Sequence, residues 1–198
     1  YAPISKINAT ESYGAEVVLH GIDYDTATER AHEIERQQGR TYVHAFDDPA
    51  VMAGQGTIGL EIVEQCPDVD TVVVPIGGGG LISGIATAVK AKTDARIIGV
   101  QAEGASSVAE SLQKGHRIER ESVDTIADGI ATRTVGELTF EIIRERVDEV
   151  VTVTDAEIAN TLTSLLERSK TLVEGAGAVP LAAVVEERFE YDDGETIV

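Results

Sequence analysis

The stretch Val72–Gly84 reads VVVPIGGGGLISG and decides the fold class of this chain. An apolar strand leads directly into four consecutive glycines, and an apolar helix begins at once over about residues 81–92. Residues without a Cβ let the backbone approach a ligand closely, and the helix adds the positive end of its dipole. The stretch therefore predicts an anion-binding loop, most simply for a phosphate. A turn without a ligand is the other interpretation, although four adjacent glycines cost more backbone entropy than such a turn requires.

The spacing of the glycines separates this loop from two common nucleotide-binding motifs. The glycines are adjacent, unlike the G-x-G-x-x-G of dinucleotide-binding folds, and no Gly-Lys-Ser/Thr follows as in a P-loop. An NAD-binding domain is further disfavoured because Glu103 is the only acidic candidate at the end of the next strand. No lysine or arginine lies in the loop, so main-chain N–H groups have to bind the anion.

Strand and helix patterns alternate along most of the chain, which predicts a parallel α/β fold. The expected architecture is an open parallel sheet with helices on both faces. Apolar runs predict strands at 16–20, 41–44, 72–76, 96–100, 149–153 and 196–198. Helical spacing and caps predict helices over 4–13, 27–38, 49–65, 81–92, 138–143, 155–169 and 176–189. The polar stretch 114–133 is expected to form a loop that packs near a site.

Three sequence patterns predict where helices begin. Asp48 precedes Pro49, as expected of a capping aspartate followed by proline in the first turn. Thr134–Glu137 and Thr154–Glu157 both have the form of a capping box, with Thr at the cap and Glu three residues later.

The composition limits the kinds of partner that the chain can have. The 198 residues include 35 acidic and 16 basic side chains, which gives a formal charge of −19. Such a surface argues against binding nucleic acid or anionic lipid. An acidic surface with few lysines is typical of proteins that fold in high salt, and an ordinary acidic cytosolic protein is the alternative. The single cysteine, Cys66, excludes an internal disulfide.

Four segments occur along the chain in an order that points to a family. They are DPAVMAGQGT at 48–57, GGGGL at 77–81, ADGIA at 127–131 and EGAGA at 174–178. Together they resemble the serine/threonine dehydratases, fold-type-II enzymes that depend on pyridoxal 5'-phosphate (PLP). The resemblance covers nearly the whole chain and implies a tryptophan synthase β-like fold. The composition places a domain boundary near residues 45–48, so residues 1–47 would be part of the small domain. Residues 48–198 would form the large domain that binds the cofactor phosphate, incomplete at its C-terminus.

The resemblance also implies a cofactor site. In the family the glycine loop holds the phosphate, the segment around Gly129 flanks the ring, and the counterpart of Glu174 lies close to the cofactor. The implied cofactor-binding residues are Gly77, Gly78, Gly79, Gly80, Leu81, Gly129 and Glu174. Taken without the family, Asp128-Gly129 is equally an ordinary turn, and Glu174 is equally a carboxylate stabilised by a helix dipole.

The activity implied is deamination of L-threonine to 2-oxobutanoate and ammonia, as in isoleucine biosynthesis, with L-serine as a further substrate. A cytoplasmic homodimer or homotetramer is expected. Serine racemase-like relatives tend to have an asparagine where Phe46 stands, which favours the dehydratase branch, although core packing explains Phe46 equally well. A serine racemase/dehydratase-like enzyme remains one alternative. A non-catalytic anion- or nucleotide-binding module is the other.

Three motifs of the family are missing from the 198 residues. They are the Ser-Phe-Lys-x-Arg-Gly segment with the catalytic lysine, a Ser-x-Asn-His segment and a late Ser-Gly-Gly-Asn segment. PLP chemistry needs a lysine amine to hold the cofactor and move the Cα proton. The lysines present, which are Lys6, Lys90, Lys92, Lys114 and Lys170, match no such motif and are expected on the surface. The chain is therefore interpreted as an internal fragment that is inactive by itself and contains no catalytic residue.

A metal ion is not expected. Glu103 and Ser107 match two positions of a divalent-cation site found in some relatives, but Ala109 stands where the family has an aspartate. A hard cation prefers several oxygen ligands, and this replacement removes one of them. The histidines, at positions 20, 32, 44 and 116, show no metal-binding spacing and are expected at the surface or at strand ends.

Overall fold

A computed structural model describes residues 4–22 and 24–198 of the chain. By its internal contacts the chain divides into two compact units, residues 1–43 and residues 44–198. The first unit contains helix α1 (Ile4–Ser12) and helix α2 (Tyr24–Gln38). Both were predicted, and a glycine with positive φ follows each of them, Gly14 at +83° and Gly39 at +66°.

The two strands predicted in the first unit are wrong. Residues 16–20 and 41–44 have no regular secondary structure. Leu19 and Val43 in these segments are 65% and 70% exposed. A strand exists only as part of a hydrogen-bonded ladder, and none of the described residues supplies a neighbouring strand to either segment.

The second unit contains three strands and six α-helices within its described residues. The strands are β1 (Thr71–Pro75), β2 (Arg96–Ala102) and β3 (Glu149–Val153). The helices are α3 (Pro49–Gln65), α4 (Gly80–Lys90), α5 (Ser107–Lys114), α6 (Glu137–Arg146), α7 (Asp155–Ser164) and α8 (Gly175–Val185). Helix α5 was not predicted, and the stretch after it is a loop as expected, apart from a short 3-10 turn at Asp128–Ile130.

The strands form a parallel sheet in the order β1-β2-β3. Val73 lies opposite Ile98 in the first pair, and Gly99 lies opposite Val150 in the second. The C-terminal residues join the free edge of β1, where Val73 donates its N–H to the carbonyl of Val198 at 2.8 Å. The strand start predicted at 196–198 is an isolated parallel bridge between Ile197 and Thr71 of β1, not a full strand.

Helices cover both faces of the sheet, as the sequence predicts. Val72 and Val74 of β1 point into one core, which α4 and α6 complete with apolar side chains. Val73 points into the opposite core, together with buried residues of α7 and α8. Successive residues of a strand face opposite sides of a sheet, so the continuous apolar run in β1 is buried on both sides.

The connections reverse direction beside β1. From β1 through β2 to β3 the chain runs by way of α4, α5 and α6, whose buried residues belong to one core. It then returns through α7 and α8 in the other core to place residues 196–198 on the far side of β1. Ligands of open α/β sheets bind beyond the carboxyl ends of the strands at such a reversal. The glycine loop lies at the carboxyl end of β1, directly at this position.

Two of the three predicted helix caps are confirmed. The Asp48 side chain accepts the N–H groups of Ala50 and Val51 at the start of α3, and the Thr154 capping box is complete at the start of α7. The box predicted at Thr134–Glu137 is wrong. The Thr134 hydroxyl donates instead to the carbonyl of Ile118 at 2.9 Å. Helix α6 begins one turn after Thr134 behind a glycine, and its cap comes from a distant residue that is described below.

No helix in residues 4–22 and 24–198 is both long enough and apolar enough to span a lipid bilayer.

Candidate functional site at the glycine loop

The glycine loop presents buried N–H groups that have no acceptor. Gly78, Gly79 and Gly80 are buried. The first N–H after the loop to find an acceptor in α4 is that of Ser83, which bonds the carbonyl of Gly79 at 3.0 Å. Within the described part of the chain, no hydrogen bond takes the N–H of any residue from 77 to 81. Leaving a buried donor without a partner costs about 1–3 kcal/mol, so the loop is suited to an anion.

Close packing accounts for part of the glycine content. A Cβ at Gly78 would lie 2.3 Å from Cδ1 of Phe46, and a Cβ at Gly80 would lie 2.8 Å from Cβ of the same residue. Gly79 has a φ of +94°, which disfavours any residue with a side chain. Packing and backbone conformation therefore require glycine at these three positions, whereas they do not explain why the N–H groups lack acceptors.

The structure brings Gly129 and Glu174 together next to the loop. Ile130 packs on Gly77, where an added Cβ would lie 3.1 Å from the Ile130 Cα. A Cβ on Gly129 would lie 3.0 Å from Cβ of Ala176 and 3.3 Å from Oε1 of Glu174. The Glu174 side chain makes no capping hydrogen bond at the start of α8, although Glu174 occupies the cap position. Three segments that are far apart in the sequence thus meet beyond the end of β1.

Helix α6 holds the loop from one side. The carbonyl of Gly78 accepts hydrogen bonds from the Thr139 hydroxyl at 2.8 Å and from the Gly136 N–H at 3.2 Å. The carboxylate of Asp47 accepts the N–H groups of Glu137 at 2.9 Å and Thr139 at 3.0 Å. No local sequence pattern indicates Asp47 or Thr139 as residues of the site, because about 90 residues separate the two groups that meet.

The segment that carries Asp47 is itself fixed by a histidine. Nδ1 of His44 accepts the N–H of Phe46 at 3.2 Å and that of Asp47 at 2.8 Å. A ring nitrogen that accepts two N–H groups carries no proton. His44 is half-buried and shapes a turn at this point, rather than ending a strand.

Lys90 lies at the far end of α4 from the glycine loop. Ten residues separate it from Gly80, a rise of about 15 Å in an α-helix. Its Nζ contacts Oδ2 of Asp148 at 2.7 Å. Burial alone would raise the pKa of Asp148, but hydrogen bonds from Lys90 and from the N–H of Ile97 lower that pKa overall. Lys90 therefore has a structural ion pair and does not reach the loop.

The region of the suspected cation site holds no cluster of ligands. In the described ranges no group of three or more His, Cys, Asp or Glu side chains could hold a metal ion. Ser107 is fully buried at the start of α5, and its hydroxyl has no partner there. The amide of Gln101 caps the same helix, since its Oε1 accepts the N–H groups of Val108 and Ala109. The prediction that no metal binds stays a prediction.

All 198 residues of the chain match the family model described as "Pyridoxal-phosphate dependent enzyme". The chain belongs to the pyridoxal-phosphate-dependent enzyme family. It is 53% identical over 196 residues to the L-threonine ammonia-lyase of Geobacter sulfurreducens, covering 98% of this chain and 49% of that protein. It is 50% identical over 186 residues to the L-threonine ammonia-lyase of Thermotoga maritima, covering 93% and 46%. This family member thus spans about half the length of the curated relatives that it matches.

Solved structures of related enzymes have the same fold as this PLP-family chain. Threonine deaminase isoform 2 from Solanum lycopersicum superposes with a TM-score of 0.93 at 41% identity, covering 100% of this chain and 55% of that one. Maize serine racemase superposes with a TM-score of 0.92 at 34% identity, covering 99% and 60%. The tryptophan synthase β-like, fold-type-II architecture expected from the sequence is therefore correct.

The cofactor of this family fits the loop chemically. PLP carries a phosphate that is largely dianionic near neutral pH, and it needs several hydrogen-bond donors. The unpaired N–H groups from 77 to 81, three of which belong to the buried residues Gly78, Gly79 and Gly80, are donors of this kind at the positive end of α4. The absence of a basic side chain in the loop is compatible with this role, because backbone amides and a helix dipole suffice to bind a phosphate.

Proposed function

We propose that the full-length protein is a PLP-dependent threonine ammonia-lyase that converts L-threonine to 2-oxobutanoate and ammonia. L-serine is proposed as a second substrate, which would give pyruvate. The observation that carries the proposal is the identity of 50–53% to two L-threonine ammonia-lyases along more than nine-tenths of the chain. The glycine loop with its unpaired N–H groups supports the same conclusion independently.

The geometry of the loop supports the proposed cofactor contacts. The N–H groups of Gly77, Gly78, Gly79, Gly80 and Leu81 would hold the phosphate. Gly129, which has no side chain and lies beside Glu174, would leave room for the ring. Glu174 would lie near the edge of the cofactor. The bound cofactor supplies an electron sink for the negative charge that develops at the substrate Cα.

The described residues bind and orient the cofactor, and none of them is proposed to transfer the proton. The lysines of the chain match no catalytic motif, and Lys90 is engaged with Asp148 at the opposite end of α4. The proposal therefore assigns the chemical step to the full-length protein. For this chain it predicts phosphate binding without turnover.

A serine racemase/dehydratase-like activity is the second candidate. The TM-score of 0.92 with maize serine racemase supports it. Phe46 argues against it, because its ring packs against the loop glycines where an asparagine would offer an amide instead. A third candidate, a non-catalytic anion- or nucleotide-binding module, is supported by the glycine loop together with the lack of a catalytic-lysine motif in these 198 residues.

One assay separates the three candidates. The full-length protein is incubated with PLP and either L-threonine or L-serine, and 2-oxobutanoate, pyruvate and D-serine are measured. A threonine ammonia-lyase forms 2-oxobutanoate from threonine faster than it forms any product from serine. D-serine as the main product would favour the racemase, and PLP binding without any product would favour the module. The control is the same protein with pyridoxine 5'-phosphate, which occupies a phosphate site but lacks the aldehyde.

The location, oligomeric state, source and metabolic role of the protein are also proposed, from its composition and its relatives. We propose a cytoplasmic homodimer or homotetramer from a halophilic source that acts in isoleucine biosynthesis. The formal charge of −19 supports the salt adaptation, because salt screens the repulsion between acidic groups. Unfolding temperatures at low and high KCl test it, and a melting temperature that does not rise with KCl would contradict it. Light scattering of the full-length protein tests the oligomeric state.

A further inference from the structure

Asp47 caps a helix that lies about 90 residues further along the chain. Its two carboxylate oxygens accept the N–H groups of Glu137 and Thr139 in the first turn of α6. The residue at the cap position itself, Gly136, offers no side chain. A Cβ there would lie 2.3 Å from Oδ1 of Asp47, so glycine at 136 is what admits the carboxylate. A negatively charged cap satisfies two donors that the helix leaves free and interacts favourably with its dipole.

The capped turn of α6 holds one peptide group of the glycine loop. Thr139 is fully buried, and its hydroxyl donates to the carbonyl of Gly78. The N–H of Gly136 donates to the same oxygen. Asp47 fixes the position of this turn, and Phe46 beside it packs on Gly78 and Gly80. The loop is therefore held between the segment 46–47 and α6.

Fixing the carbonyl of Gly78 also fixes the N–H of Gly79. The two groups belong to one trans peptide, in which they point in opposite directions. Since the carbonyl points to α6, the N–H of Gly79 points away from it, and it meets no acceptor in the described chain. A peptide between two glycines rotates more freely than any other, because neither side carries a Cβ. The bonds from α6 prevent this rotation.

We infer that Asp47 is a positioning residue for the phosphate site and that it acts through Thr139 on the N–H groups of the loop. The inference rests on the proposed function, because it takes PLP phosphate as the anion. Asp47 and Thr139 need not touch the cofactor. They keep the Gly78–Gly79 peptide in the orientation in which its N–H faces the anion.

The experiment compares PLP with pyridoxal, which lacks the phosphate, in the full-length apo-protein. Dissociation constants of both are measured by equilibrium dialysis for the wild type, Asp47→Asn, Thr139→Val and Thr139→Ser. Thr139→Val keeps the shape of the side chain and removes the hydroxyl, whereas Thr139→Ser keeps the hydroxyl. Asp48→Ala is the matched control, because it removes a helix cap of the same kind one residue away that does not contact the loop.

Thr139→Val should weaken PLP binding about 10-fold, which corresponds to loss of the hydrogen bond from the Gly79 N–H to the charged phosphate. Pyridoxal has no phosphate, so its binding should be unchanged. Asp47→Asn should also weaken PLP binding. Thr139→Ser, which keeps the hydroxyl, should bind PLP as tightly as the wild type does. Asp48→Ala should lower the melting temperature of the apo-protein without changing the affinity for PLP. Equal loss of PLP and pyridoxal, or no loss in Thr139→Val, would overturn the inference and leave the proposed function intact. A wild type that binds pyridoxal as tightly as PLP would overturn both.

Discussion

Replacing Gly79 by alanine tests whether the loop is held by contact with α6 as well as by its backbone conformation. At Gly79 φ is +94°, and an added Cβ would lie 2.9 Å from Cβ and Oγ1 of Thr139. Gly194 has a φ of +93° and no atom within 4 Å of an added Cβ. The two positions therefore impose nearly the same positive φ on alanine, and only Gly79 adds a steric overlap.

The expected loss in the free energy of unfolding has two parts, one from the backbone conformation and one from the steric overlap. A left-handed conformation costs alanine about 1–2 kcal/mol, part of which is returned because the unfolded chain is less flexible, so Gly194→Ala should cost about 1 kcal/mol. Overlap in a packed region adds about 1–3 kcal/mol, so Gly79→Ala should cost about 2–4 kcal/mol. The overlap also pushes on Thr139, whose hydroxyl holds the Gly78 carbonyl. Gly79→Ala should therefore weaken PLP binding, whereas Gly194→Ala should not.

Urea unfolding of the full-length apo-protein, followed by circular dichroism, measures both free energies of unfolding. The slope against urea should stay the same in the two variants, because neither changes the surface that unfolding exposes. Equal losses of stability in Gly79→Ala and Gly194→Ala would refute the argument that Thr139 packs tightly on the loop. Unchanged PLP affinity in Gly79→Ala would refute its role in presenting the N–H groups.

Three further perturbations test other parts of the fold. Thr154→Ala removes the capping box of α7 and should cost about 1 kcal/mol in urea unfolding, with Thr154→Ser as the near-neutral control. Gly84→Ala places a Cβ 2.3 Å from the carbonyl oxygen of Met52 at the α3–α4 contact. It should lower the free energy of unfolding by about 3 kcal/mol or more, because the backbone has to move. Gly54→Ala is the control, since a Cβ there lies in open space and should not be destabilising. The pKa of Asp148 is lowered because hydrogen bonds from Lys90 and a main-chain N–H outweigh burial, so the folded carboxylate stabilises the protein at neutral pH. This contribution is present above the ordinary aspartate pKa and is lost as the pH falls below it, through the lowered pKa of the folded state. Asp148→Asn should therefore lose less stability than the wild type on acidification, and parallel pH profiles would contradict this.

Local patterns in the sequence predicted most of the second unit correctly. The apolar runs in β1 and β2, and the caps at Asp48 and Thr154, depend on neighbours within a few residues, and the structure has them as expected. The same reasoning failed at residues 16–20, because apolar residues predict a strand only if a partner strand is present. It also failed at Thr134, whose hydroxyl bonds Ile118 while Asp47 takes the position of the cap.

The sequence by itself determined the parallel α/β class, the family and the glycine loop, because strand burial, helix starts and four adjacent glycines are local properties of the chain. Only the tertiary structure decided which groups meet at that loop. It placed Ile130 on Gly77, Glu174 beside Gly129, and Thr139 under the carbonyl of Gly78. These contacts join segments that are about 45 to 60 residues apart or more, and no periodic pattern records them. They arise because parallel strands bring their carboxyl ends to one edge of the sheet, and the connections that follow converge there.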